Sequence, residues 1–146
     1  LVECADMTTR IMDVGAGDIM ERAGRFGAID PLLWGALLQA LSAAAAYRRE
    51  VGPIIEKDAA LNFIFLSSTF PRSMKYFVRE TRKELMRLNN HDLAIRAVER
   101  LRRRLTRLDA EHFTSGELHD YIDDFQLQLT SLDAAIQATW FSWENA

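Results

Sequence analysis

The sequence predicts an all-α protein, a bundle of five to six helices. Three observations carry that prediction. Apolar residues recur at helical spacing along nearly the whole chain, and no stretch shows the strict alternation of a half-buried strand. Start and stop residues separate the periodic runs. At 146 residues, 49% apolar and 27% charged, the chain is long enough to bury a core and reads as one domain over 1–146.

The first helix is expected over residues 1–13, with Val2, Ala5, Ile11 and Met12 apolar, ending near Gly15-Ala16-Gly17. Glycine-rich residues 15–29 read as a loop, with at most a short helix around Ile19 to Arg22. Asp30-Pro31 then offers an N-cap followed by Pro at the first helical position. One helix is expected from there to Arg49, burying Leu33, Leu37, Leu41, Ala44 and Ala45, with Trp34 and Leu38 flanking that face. Gly52-Pro53 breaks it. Residues 58–67 are apolar nearly all round and predict a buried helix.

Pro71 is read as opening the next helix, whose stripe is Met74, Phe77, Val78, Leu85 and Leu88, and Asn89-Asn90 stops it. Asp92 is expected to cap a helix with the stripe Leu93, Ala97, Val98, Leu101, Leu105 and Leu108. Thr114 or Ser115 starts the last helix, about seven turns long. Its stripe of Leu118, Ile122, Phe125, Leu129, Leu132 and Ile136 ends at Trp140-Phe141, and Trp34, Trp140 and Trp143 are assigned to packing.

Composition excludes several function classes. The net charge of −3 argues against general nucleic-acid binding. No apolar run reaches the ~18 residues of a membrane span. The single cysteine, Cys4, rules out an internal disulfide framework and fits a reducing cytoplasm. No signal-peptide pattern follows Leu1, and the opening residues resemble the middle of a helix, so the chain is expected to be the C-terminal piece of a longer protein.

Charge changes sign along the chain. From Arg72 to Arg107, twelve Lys and Arg stand against four acids, whereas from Leu108 onward there are eight acids and no Lys or Arg. The run Arg96, Arg100, Arg102, Arg103, Arg104 and Arg107 has few interleaved aromatics. It is therefore read as a solvated face complementary to Asp120, Asp123 and Asp124 on the last helix. Asp109 with His112, and His119 with Asp123, each share a helix face. The Glu-x-x-His pairs of a di-iron bundle are missing, so no metal or other cofactor is expected.

Two polar groups stand out as binding candidates. Glu3, Asp6 and Arg10 line one face of the first helix, a spacing that also makes an ordinary intrahelical ion pair. Arg72 and Ser73 sit at a loop-to-helix junction. There Ser73 serves as a cap and Arg72 as a carboxylate's partner, or the two hold an anion beside free backbone donors. Cys4 has no nearby histidine to activate it as a nucleophile.

The same residues carry a resemblance. Val2-Glu3-Cys4-Ala5-Asp6-Met7-Thr8-Thr9-Arg10 resembles the Glu-Arg-Ala-Asp-Met-Thr-Thr-Arg segment of the bacterial alpha-E domain family. Tyr47-Arg48-Arg49, Phe65-Leu66, Phe70-Pro71-Arg72-Ser73 and Leu118 to Gln126 resemble its later motifs in order. Members of that family are about twice this length, with two related halves, and are typically encoded beside ATP-grasp ligase-like and transglutaminase-like proteins. The resemblance therefore implies a role in making or handling a peptide-like conjugate. In that resemblance Cys4 stands where the motif has its arginine; if the arginine pairs with a substrate or partner carboxylate, the replacement removes that bidentate contact.

The function expected from residues and resemblance together is a non-catalytic accessory or scaffold domain. It would work with an ATP-grasp-like or transglutaminase-like partner, or a peptide substrate, through Glu3, Asp6, Arg10, Arg72 and Ser73. The alternatives are a peptide ligase or transferase subunit that binds substrate directly, and a purely structural bundle.

Overall fold

A computed structural model describes residues 1–22 and 30–142, the side chain of His112 excepted. Within them the chain is all helical. The helices are α1 (Val2–Glu21), α2 (Asp30–Ala40), α3 (Ala44–Glu50), α4 (Lys57–Leu66), α5 (Met74–Leu85), α6 (Asp92–Thr106) and α7 (Ser115–Ile136). A 3-10 turn at Ala110–His112 precedes α7, and a π turn at Gln137–Phe141 extends it to the expected length.

The most extensive packing joins α1 to α7, α7 to α6, and α6 to α5. Helices α1 and α7 run antiparallel, because Gln126 reaches Thr9 while His119, one end nearer, reaches Asp13. The α7 stripe is as expected: Leu118, Ile122, Phe125, Leu129 and Leu132 are buried. A capping box fixes its start, with the Thr114 hydroxyl accepting from Glu117 N and the Glu117 carboxylate accepting from Thr114 N. Helix α4 is buried on most sides through Ala60, Leu61, Phe63, Ile64 and Phe65. Its rings meet Tyr47, Phe70 and Tyr121 at centroid distances of 5.4, 5.2 and 5.4 Å.

Several boundaries differ from expectation. Helix α1 does not stop at Gly15-Ala16-Gly17 but continues to Glu21, burying Ala16 and Ile19. A Cβ at Gly15 would lie 2.7 Å from Leu37 Cδ1, so the bare backbone lets α2 approach closely. Burial of the α1 face outweighs the low helix propensity of two glycines. Residues 23–29 of the expected loop lie outside the described residues, as does Trp143.

The single helix expected over 30–49 is two. Ser42 adopts φ +56°, with Ser42 N donating to Gln39 O at 2.9 Å and Ala43 N to Leu38 O at 2.7 Å. This is a Schellman end built on serine rather than glycine. It turns Leu41, Ala43 and Tyr47 inward together, while Trp34 and Leu38 are buried and Ala45 is exposed.

Pro71 does not open α5. It lies in the preceding turn, and Ser73 is the N-cap. Leu88 is past the end of α5 at 47% exposure. Asp92 is the first residue of α6 rather than its cap, favourable there beside the positive end of the helix dipole. On α6 the stripe runs through Ala94, and Leu93 faces solvent at 52% exposure.

Gly17 sits inside α1 with nothing within 4 Å of an added Cβ. Gly17→Ala is expected to raise stability in urea denaturation by about 0.5–1 kcal/mol, through helix propensity. No gain would place position 17 in a loop.

Candidate functional site

The polar residues singled out in the sequence fall in two separate places. On α1 the Asp6 carboxylate accepts from Arg10 Nε at 2.8 Å across one helical turn, and Glu3 is exposed one turn earlier. Cys4 is a half-buried free thiol. Thr8 and Thr9 are buried and donate back to the carbonyls of Cys4 and Asp6, at 2.9 and 2.8 Å. No hydrogen bond or ion pair among the described residues joins Arg72 or Ser73 to this face.

Arg72 and Ser73 belong to a turn between α4 and α5 that the chain ties down at many points. The Glu50 carboxylate, from the end of α3, accepts from the Ser67 and Thr69 hydroxyls, each at 2.7 Å. Ser67 Oγ in turn accepts from Phe70 N at 3.0 Å. Ser73 is fully buried; its hydroxyl donates to Ser67 O at 2.5 Å and accepts from Tyr76 N at 3.0 Å. Ser73 therefore does what a helix cap does. Arg72 is exposed and donates to Leu41 O at 3.3 Å, with no carboxylate partner among the described residues. Glu50 and Ser67 were not among the sequence candidates, and the Ser67-Ser68-Thr69 run was the available signal.

Charge is most concentrated between α5 and α6. A cleft of about 810 Å³ there has an apolar floor of Leu66, Val78, Leu105 and Leu108. Lys75, Arg79, Arg82, Lys83 and Arg102 form its rim. Glu99 fastens the two helices, accepting from Arg82 Nε and Arg102 Nε at 2.7 Å each. Those hydrogen bonds, Arg102 first, hold the Glu99 carboxyl below its ordinary value against the opposing effect of burial. Glu80 accepts from Arg79 at 2.8 Å and is likewise lowered, chiefly by that bond. Five cations against Glu99 and Glu80 leave the cleft positive.

The expected match between the basic helix and the acidic face of α7 is narrower than its charges suggest. Among the described residues one ion pair crosses, Arg104 with Asp124. It is a charge contact rather than a directed hydrogen bond. The Arg104 guanidinium also lies 5.0 Å from the Tyr121 ring centre. Burial pushes the Tyr121 phenol well above its ordinary value.

Asp123 turns instead toward α1. His119 Nδ1 lies 2.6 Å from Asp13 Oδ1, and His119 Nε2 lies 3.4 Å from Asp123 Oδ2. The Asp13 hydrogen bond first, then the two carboxylate charges, raise the imidazole above its ordinary value. Beside it opens a cavity of about 470 Å³ that Asp18, Glu21 and Ser115 also line. His119 with Asp123 is legible as an i, i+4 pair; Asp13 is more than a hundred residues away and is not. The other spaced pair, Asp109 with His112, falls partly outside the described side chains.

The class these features define is a helical bundle whose surface carries two separate charged features, a cationic cleft and an acidic histidine site. The chain belongs to the Alpha-E family, a predicted alpha-helical domain with a conserved ER motif, whose profile matches residues 1–141. No curated protein and no solved structure matches it. Glu-Arg dipeptides stand at Glu21-Arg22 and Glu99-Arg100, while Glu3 is followed by Cys4. No described helix is long and apolar enough to cross a membrane.

Ser73→Ala removes a cap and strands the Ser67 carbonyl, so it is expected to cost about 1–3 kcal/mol in urea denaturation. Arg72→Ala, losing one bond at an exposed site, should stay within about 0.5 kcal/mol of wild type. Glu99 supplies a pH test. Its folded value lies below the ordinary 4.5, so its stabilisation is present above that pH and lost as pH falls through the depressed folded value. The stability gap between wild type and Glu99→Gln should be constant from neutral pH to about pH 5 and close below it. A gap independent of pH would refute the pairing.

Proposed function

We propose that this chain is a non-catalytic accessory domain that docks an acidic, amphipathic segment of a partner protein in the α5–α6 cleft. The observation that carries the reading is the combination of an apolar floor with a cationic rim. An amphipathic helix fits such a groove by burying its apolar face, while its carboxylates meet Lys and Arg at the edge. The partner proposed is the ATP-grasp ligase-like or transglutaminase-like protein that the family resemblance implies, in a system that makes or handles a peptide-like conjugate in the cytoplasm.

The α1 face of Glu3, Asp6 and Arg10 and the exposed Arg72 are proposed as further contacts. Ser73, buried and engaged twice, holds the Arg72 turn in place rather than touching the partner. On the family resemblance, the chain is proposed as one half of a longer helical protein.

Binding of purified ATP-grasp-like protein to the chain should weaken steeply with salt. It should fall at least about tenfold in the Lys75→Glu, Lys83→Glu double variant, measured by isothermal titration calorimetry. Lys75 and Lys83 are exposed, so the fold should survive. Unchanged affinity in that variant, or ATP turnover by the chain alone, would overturn the proposal.

A further inference from the structure

We infer that His119 and Asp123 on α7, with Asp13 on α1, form a binding site for a divalent transition-metal ion such as Zn²⁺. His119 and Asp123 are four residues apart on one helix, the spacing that lets two side chains chelate one ion. Their facing atoms, Nε2 and Oδ2, stand 3.4 Å apart. Two ligands at the ~2.0–2.2 Å of Zn–N and Zn–O bonds, at a tetrahedral angle, are themselves separated by roughly 3.4 Å. The pair already has the spacing of one edge of a zinc polyhedron.

Asp13 supplies what metal-binding histidines usually need. Its Oδ1 lies 2.6 Å from Nδ1, the ring nitrogen other than the one nearest Asp123. A carboxylate there keeps the proton on Nδ1, leaves the Nε2 lone pair directed at the ion, and fixes the ring. One ligand atom from each of the three residues can be chosen so that all lie within 4.8 Å of one another. Asp13 and His119 also line the neighbouring cavity of about 470 Å³, whose Asp18 and Glu21 add negative potential. Two protein ligands leave the remaining positions for water or a ligand carboxylate, so the ion would be exchangeable.

The site differs from the α5–α6 cleft in sign, position and ligand, and does not depend on the proposed function. Both ligands come from α7, and α1 takes part through the Asp13 hydrogen bond that orients the ring. The test is isothermal titration of the whole chain with ZnCl₂, alongside its thermal unfolding with and without Zn²⁺. Saturable 1:1 binding with a raised Tm is expected. His119→Gln should abolish both effects, and Asp13→Asn should weaken binding about 10–100-fold. His119 is more than half exposed, so its replacement should leave the fold intact, which circular dichroism checks. Absence of saturable binding, or binding that survives His119→Gln, as it would if the Cys4 thiol were the ligand, overturns the assignment.

Discussion

The arrangement depends on the burial of one face of α7 between α1 and α6. Leu118, Ile122, Phe125, Leu129 and Leu132 form a continuous stripe, and each is almost wholly removed from water. A buried side chain of that size contributes about 1.5–3 kcal/mol relative to an exposed one, more than any surface ion pair in the molecule. The polar flanks of α7 are consequently set in direction. One places Asp124 beside Arg104 of α6, and the other places His119 beside Asp13 of α1. Both charged contacts follow from the hydrophobic seam rather than creating it.

The surface chemistry then separates into two signs. Helices α5 and α6 carry the cations, and Glu99 keeps Arg82 and Arg102 in register across them. Each pair is partly exposed and modest in energy, so Glu99 matters for direction as well as stability. By pulling two guanidinium groups together it holds cationic rims on both sides of an apolar floor. Separately, α1 and α7 gather Asp13, Asp18, Glu21, His119 and Asp123, a surface for cations rather than acids.

Much of this was legible in the sequence where local rules and packing agree. The α7 stripe and its Thr114 start were readable because periodicity, capping and burial all specify the same element. The fold misled where packing overrode local signals. Gly15 and Gly17 look like a helix end, yet α2 needs the space that Gly15 leaves. Pro71 looks like a helix start, yet the Ser73 hydroxyl gives α5 a better one. The candidate residues were partly visible: Asp6–Arg10 follows from spacing, and His119–Asp123 from the helical repeat. The Asp13–His119 contact and the Glu50–Ser67 tie join distant parts of the chain, and no spacing rule reveals them. Cations of the cleft were visible as a composition bias, but not that Leu66 and Val78 would form a floor beneath them.

The serine-built turn at Ser42 has a consequence for how the molecule breathes. It divides a segment long enough for a five-turn helix into pieces of 11 and 7 residues, each too short to persist in water by itself. Their order is borrowed from Leu38, Leu41 and Tyr47 against the interior, and from the Tyr47 hydroxyl, which donates to Ile54 O. Glu50, held by the Ser67 and Thr69 hydroxyls, adds a polar tie to the α4–α5 turn, so the segment opens as a unit when these contacts are released together, without requiring α6 and α7 to part. Amide protons of α2 and α3 should exchange with solvent sooner than those of α7. The first event in unfolding would then be the peeling of this arm from an intact α5–α6–α7 body.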